Sequence, residues 1–451
     1  MAKVLIPNRG EIAVRLIRAA AECGMASVLA ASDPDQSSLA ARLADEVVKL
    51  PGVSPKDTYL NVDAILEAAD RAGATLVHPG YGFLSENAAF GKAVQDAGLT
   101  WVGPDPAAID LMGAKTNAIA QARSAGVPTI PGSDGIITSV EEAARIAGGI
   151  GYPIAIKAAG GGGGRGIRIV ETAADFANAW ERAGSEAASS FGDDRLYLEK
   201  YIPRARHIEV QILGDGRRAV HLFERDCSLQ RRRQKIIEES PAPGISEPIR
   251  QEMCQAAVNL AASVDYTSAG TVEFLYDVAS REFYFLEMNT RIQVEHPITE
   301  SCTVIDIARE QLRIAQGHPL SVRQDDIQTN GHIIEIRVNA EDPNNKFFPS
   351  PGKIDYLSWP GGPGIRVDAG VGLHDTVTPY YDSLLAKLII RDYTRREAIV
   401  RATRALREIR IEGLTHTGAF SSELINTSEF IHAQHHTGFV EDYMERRDRQ
   451  G

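Results

Sequence analysis

GTVEFLYDVASREFYFLEMNTRIQVEHPITE, running from Gly270 to Glu300, holds two strand-like runs, TVEFLYD and EFYFLEMN, on either side of a short polar link. A turn centred on Ser280 sets Glu273 opposite Glu287, with both side chains on one face and Cβ atoms about 5 Å apart. Like charges so placed repel, and a divalent cation relieves the repulsion. Hard oxygen ligands at that separation suit Mg²⁺ or Mn²⁺ carried in with a nucleotide's phosphates. Alternation beyond Glu287 puts Asn289 and Arg291 on the same face, a polar file of metal ligand, amide and guanidinium. A continued strand would carry Glu295 about 26 Å from Glu287. The chain is therefore expected to bend after Arg291, and His296-Pro297 marks a break nearby.

Upstream lies IKAAGGGGGRGIRIV, Ile156 to Val170, with five glycines in a row between strand-like runs. A Walker loop ends in G-K-[ST], whereas here Lys157 precedes the glycines and Arg165 follows them. Gly161, Gly163 and Gly166 satisfy G-x-G-x-x-G, but IRIV alternates like a strand and no helix opens where a dinucleotide site needs one. A hairpin flap remains, whose backbone N–H groups can close over a polyphosphate because no Cβ intervenes. Lys157, on the strand entering the flap, would reach the same phosphates. The glycine run alone reads more readily as a disordered surface loop than as a flap; the paired carboxylates reverse that preference.

Toward the amino terminus, KVLIP, EIAVRLIRAAAECG, ASVLAAS, DAILEAADRAG, ATLVHPG and GKAVQDAGLTWVG alternate buried-strand runs with amphipathic helices, the rhythm of a doubly wound parallel sheet. Beyond about Asn330, HIIEIRVNAED, GKIDYLSW, GIRVDAGV and KLIIRD read as an antiparallel α+β domain closed by the helix REAIVRATRALREI. The expected domains are residues 1–112, 113–329 with a flap subdomain at about 130–203, and 330–447.

The 451 residues, 43% hydrophobic, suffice for two to four domains with their own cores. A net charge of −12 disfavours a sequence-independent hold on nucleic acid or anionic lipid, so neither nucleic acid nor membrane is an expected partner. Cys23, Cys227, Cys254 and Cys302 lie far apart with no C-x-x-C pair, against a zinc ribbon or disulfide framework. In MAKVLIPNRGEIAVR charge follows a short apolar run, unlike a signal peptide, and the expected location is cytoplasmic.

The chain resembles biotin carboxylase, the ATP-grasp component of biotin-dependent carboxylases. The resemblance runs through IPNRGEIAVR, HPGYGFLSEN, KAAGGGGGRGIRIV, RHIEVQ, ERDCSLQRRRQK, EMNTRIQVEHPITE and PYYDSLLAKLI, nearly the whole length. It implies a central ATP-grasp fold with a mobile glycine-rich flap, and a ligase that carboxylates biotin on a carrier. Lys115 and Lys157 would then bind ATP phosphates, with Gly162, Gly163 and Gly164 in the flap. Glu199, Lys200 and Ile202 would meet adenine, and His207 and Gln230 would lie near the ribose. Glu273, Glu287 and Asn289 match the family's metal site. For bicarbonate the matching positions are Lys235, Arg291, Gln293 and the backbone of Val294, with Glu295 as the base that removes its proton. Arg337 matches the residue that stabilises the biotin enolate. Bicarbonate would attack the γ-phosphate, and the carboxyphosphate formed would break down to CO₂ and phosphate.

QRRRQK otherwise reads as a solvated charge run; in strand alternation Arg233 and Lys235 share a face, which directs Lys235 to the site. The family usually has His in place of Arg233, beside the ribose, and a Thr-Asn pair is replaced in GLTHTGAF. Two alternatives keep parts of the pattern: an ATP-grasp ligase with another acceptor, and an inactive nucleotide-binding scaffold. The A-M-K-M signature of biotinylated domains is missing, so biotin is expected on a separate carrier subunit or a further domain. A carboxyltransferase subunit and a homodimer are the other partners the resemblance implies. The final acceptor, whether acetyl-CoA, propionyl-CoA, a longer acyl-CoA, pyruvate or urea, is left open, with an acyl-CoA carboxylase favoured.

Overall fold

The computed structural model describes residues 2–133, 135–159 and 166–450. Gly162, Gly163 and Gly164 of the expected flap lie outside them. The chain divides into two compact units: residues 1–127, 206–275 and 287–451 form the first, and 128–205 with 276–286 the second.

In the first unit a five-stranded parallel sheet is built from Lys3–Ile6, Ala26–Ser32, Glu46–Leu50, Leu76–Val77 and Thr100–Trp101, in the order third, second, first, fourth, fifth. Alternation sends Val4, Ile6, Leu29 and Ala31 into one apolar core and Leu5, Val28 and Ala30 into another. Covered on both faces, the strands read as unbroken apolar runs. Helix Gly10–Glu22 contributes Ile12, Leu16 and Ile17 to the first core; helices Val62–Ala72 and Ala88–Asp96, capped by Asn61 and Asn87, close the second.

An eight-stranded sheet follows, in the order Glu282–Asn289, Thr267–Asp277, Arg206–Asp215, Ala219–Arg231, Gln234–Ser240, His332–Asn339, Leu384–Asp392 and Ile365–Ala369. The carboxy-terminal strands are antiparallel, as their patterning suggests, and they extend this sheet rather than begin another. Helix Arg395–Glu408 starts with a Thr394/Glu397 capping box and lays Ala398, Ala402 and Ala405 on Ile334, Ile336 and Leu388.

The second unit has a three-stranded antiparallel sheet, Ile167–Val170, Ile154–Ala158 and Leu196–Lys200, with helices Val140–Ile150 and Phe176–Phe191. Ile154, Ile156, Phe176, Leu196 and Leu198 form its core. The two strands flanking the glycine run therefore pair, Lys157 opposite Ile167. Among the described residues no helix is long and apolar enough to cross a membrane. All four cysteines are free.

Candidate functional site

In the first unit, alternate residues of the large sheet carry polar groups into a buried layer. His207, Glu209 and Gln211 share one face of strand Arg206–Asp215, and Thr271 and Glu273 do the same on Thr267–Asp277. Arg225, wholly buried, donates to Glu209 at 2.7 Å, Gln211 at 2.7 Å, Thr299 at 2.8 Å and Gln293 at 2.7 Å. A guanidinium removed from water needs that many acceptors.

Lys235 stands beside this layer. Its Nζ donates to Glu209 Oε2 at 2.6 Å, to Glu273 Oε1 at 3.3 Å and to Glu295 Oε1. Arg337 bonds Glu295 from the other side, Nη2 to Oε2 at 3.0 Å, and its Nε donates to Glu238 at 2.6 Å. Glu295 is thus gripped by an ammonium and a guanidinium. It directly precedes helix His296–Thr303, with Pro297 in the first turn, so the bend expected after Arg291 is present. Burial alone would raise the Glu295 carboxyl, but Lys235, Arg337 and Arg225 hold it well below the ordinary range. It is an anion at neutral pH.

Arg291 donates to Glu86 at 2.8 Å and to Asn289 Oδ1 at 3.0 Å. Asn289 and Gln293 both donate to Glu273 Oε1, at 2.8 and 3.0 Å, and His207 Nε2 lies 3.0 Å from Oε2. Burial pushes Glu273 up, yet Lys235 and His207 keep it well below its usual value; burial lowers His207, but the charge and hydrogen bond of Glu273, together with Glu209, leave it raised on balance. Glu287 lies on the adjoining strand, open to solvent. Loss of water around its carboxylate raises it first, and the charge of Glu273 raises it further, with Lys115 opposing. Two carboxylates that repel, one unpaired among the described residues, beside an amide oxygen are the hard donor set that a divalent cation fits.

Val294 offers its carbonyl to Lys387 Nζ at 2.7 Å, and Lys387 also pairs with Glu11 at 2.8 Å. A cavity of about 380 Å³ opens beside Glu11, lined by Arg9, Tyr81, Tyr381 and Asp382. Gln230 is buried at the end of strand Ala219–Arg231, and Lys115 is exposed at the first residue of helix Lys115–Ser124. Within the second unit, Lys157 Nζ bonds Glu199, Lys200 Nζ donates to Gly151 O at 2.9 Å, and Ile202 is buried.

The shared face expected for Arg233 and Lys235 does not form. Arg231 pairs with Gln234, so Arg232 and Arg233 make a two-residue hairpin turn, both at positive φ, 48° and 67°. Arg233 is exposed there. Alternation fails because it was extended through a turn whose usual Asn-Gly signal is absent. The replaced pair in GLTHTGAF gains a structural reading: Thr417 Oγ1 accepts from Asn339 N–H at 3.0 Å and donates to the Arg337 carbonyl at 3.3 Å.

Glu209, Arg225, Glu238, Glu86 and Lys387 escaped the sequence reading. The alternation of His207, Glu209 and Gln211 in RHIEVQ was a usable signal for the first. Glu238 and Lys387 become neighbours of Arg337 only through register between distant strands, Arg225 meets Gln293 and Thr299 across the fold, and Glu86 reaches Arg291 from a turn.

Comparison with known proteins gives three family-model matches: biotin carboxylase, N-terminal domain, over residues 1–109; carbamoyl-phosphate synthase L chain, ATP binding domain, over 114–323; and biotin carboxylase C-terminal domain over 335–442. Biotin carboxylase 1 of Bacillus subtilis is 48% identical over 442 residues, covering 98% of each chain. A biotin carboxylase of Campylobacter jejuni, solved as a β,γ-ATP complex, superposes with a TM-score of 0.89 at 42% identity, covering 98% of both chains. The biotin carboxylase domain dimer of a Hydrogenobacter thermophilus 2-oxoglutarate carboxylase, solved with MgADP, ADP and bicarbonate, gives 0.88 at 44%, covering 98% of this chain and 97% of that one.

Proposed function

The chain belongs to the biotin carboxylase family, and because it does, we propose that it uses ATP and bicarbonate to carboxylate biotin presented by a biotin carboxyl carrier protein or domain. The observation that carries this reading is the double hold of Lys235 and Arg337 on Glu295. Bicarbonate is a small anion, and Lys235, Arg291 and Arg337 are cations converging beside a carboxylate that is ionised and can accept its proton. Gln293 and the backbone of Val294 complete the pocket. Once deprotonated, bicarbonate attacks the γ-phosphate, a step that needs positioning and charge neutralisation above all. With ADP as the leaving group, the carboxyphosphate so formed yields CO₂ and phosphate; phosphate takes the proton from the biotin ureido nitrogen, Arg337 steadies the oxyanion that develops, and the nitrogen attacks CO₂ to form carboxybiotin.

Lys115 and Lys157 hold the ATP phosphates in this reading, and the sequence assigns Gly162, Gly163 and Gly164, which lie outside the described residues, to the same phosphates. Glu199, Lys200 and Ile202 serve the adenine, and His207, Gln230 and Arg233 the ribose side. Glu273, Glu287 and Asn289 would hold Mg²⁺ or Mn²⁺, which supplies positive charge to the phosphates when bound. The domain divisions are 1–112, 113–329 and 330–447. A carboxyltransferase subunit receives the carboxybiotin, most simply for an acyl-CoA acceptor, and the enzyme works as a cytoplasmic homodimer.

Bicarbonate discriminates. ATP hydrolysis by the purified chain should require bicarbonate and rise with free biotin. Failure of both, with another carboxylate activated instead, assigns the chain to an ATP-grasp ligase of different acceptor. Proteins that co-purify with the chain identify the acceptor.

A further inference from the structure

Behind Arg337 lies a carboxylate that the proposed reaction leaves without a task. Glu238 has no solvent exposure; its Oε1 accepts from Arg337 Nε at 2.6 Å, and its Oε2 has no hydrogen-bond partner. Directly opposite on the neighbouring strand is Glu335, also wholly buried, with both carboxyl oxygens unpartnered. Arg337 is two residues from Glu335 on the same face, and Lys387, paired with Glu11, stands across from Arg337. The groups facing Glu238 are therefore Arg337, Glu335, Glu295, Lys235, the buried thiol of Cys227 on the other neighbouring strand and, one strand further, Lys387.

Arg337 is divided between two acids, Nε on Glu238 and Nη2 on Glu295. These two acids differ in what the reaction does to them. When Glu295 takes the bicarbonate proton, its charge is gone and its bond to Nη2 weakens. A guanidinium held by Glu295 alone would then be loose at the moment it has to meet the biotin oxyanion. We propose that Glu238 is the positioning residue of Arg337, anchoring the guanidinium through Nε whether or not Glu295 carries a proton. This rests on the biotin-carboxylating reading above.

Two buried acids opposite one another beside one guanidinium do not both ionise. Burial raises Glu335 well above the ordinary range, so it stays neutral, which leaves the charge to Glu238. Burial also raises Glu238, to about 7, with Arg337 opposing. The anchor is consequently charged on the alkaline side of that value and fades on the acid side.

The test compares wild type with Glu238→Gln, which keeps the shape and removes the charge, for biotin carboxylation between about pH 6 and pH 8.5. Wild type should be faster by about ten- to a hundredfold at the alkaline end, the worth of one charge-assisted hydrogen bond. The ratio should close toward one as pH falls through about 7. Bicarbonate-dependent ATP turnover without biotin should fall by less than biotin carboxylation does, since Lys235 and Arg291 still face bicarbonate when Arg337 is loosened, and Glu238→Asp should recover part of the alkaline rate. A ratio that is near one throughout, or large but independent of pH, overturns the inference. So does loss of ATP turnover in both variants, since Glu238 would then serve the fold. Wild type that carboxylates no biotin at any pH overturns the functional reading as well.

Discussion

Lys387 Nζ donates to the carbonyl of Val294 at 2.7 Å from a position with no solvent exposure, and so fixes the residue next to Glu295. The same ammonium pairs with Glu11 at 2.8 Å. Lys387→Met removes a buried cation and strands a buried carboxylate, a loss of about 3–5 kcal/mol. Denaturant unfolding should show a lowered midpoint. Because the Val294 carbonyl also loses its donor, the variant should lose biotin carboxylation under conditions where it is still folded.

Glu295→Gln keeps the size of the side chain and removes its capacity to accept a proton. ATP binding should persist, since Glu295 bonds Lys235 and Arg337 and belongs to neither the proposed nucleotide residues nor the metal set. Biotin carboxylation should fall by about 10²–10⁴-fold. The acid limb of the wild-type pH profile should not report Glu295, whose carboxyl is held well below the ordinary range by Lys235 and Arg337 against the effect of burial. A wild-type rate in the variant would remove Glu295 as the base.

Glu273 and Glu287 should behave differently when neutralised, although both are proposed metal ligands. Glu273 accepts from Asn289, Gln293 and Lys235 and lies 3.0 Å from His207, so Glu273→Gln should lower the unfolding midpoint as well as activity. Glu287 is open to solvent and lies under the repulsion of Glu273. Glu287→Gln should leave stability unchanged or slightly higher, while the Mg²⁺ concentration needed for half-maximal ATP turnover rises. Mg²⁺ titration of the turnover, beside unfolding of both variants, separates the two effects.

This contrast marks how far the sequence was readable. Strand alternation through Gly270–Asn289 located both acids, and the reach of a continued strand called for the bend before Glu295, because period and rise are local properties. Glu238 and Lys387 are set by register between strands far apart in the chain, and Arg225 by partners as distant as Gln293 and Thr299, neither of which local pattern encodes. Arg233 was misplaced for a third reason. Two arginines occupy a turn conformation that asparagine and glycine usually signal, so nothing in the local sequence marks the end of the strand.

Helix His296–Thr303, which Glu295 precedes, ends on a residue poorly suited to its conformation. Val304 closes it at φ 62° and ψ 20°, in the left-handed region, donating its N–H to Glu300 O at 2.9 Å. A branched Cβ is crowded there by its own carbonyl, a cost of about 1–2 kcal/mol, and the side chain is 72% exposed, so little packing offsets it. Glycine is the usual residue at this point of a helix. Val304→Gly should raise the unfolding midpoint by the equivalent of about 1 kcal/mol, after allowing for the greater freedom of glycine in the unfolded chain. Val304→Ala removes the branching but keeps Cβ and should gain less. Biotin carboxylation should be unaffected in both, since the backbone bond to Glu300 is retained and Glu295 lies at the opposite end of the helix. A lowered midpoint in the glycine variant would mean that Val304 is held by contacts that outweigh its backbone strain.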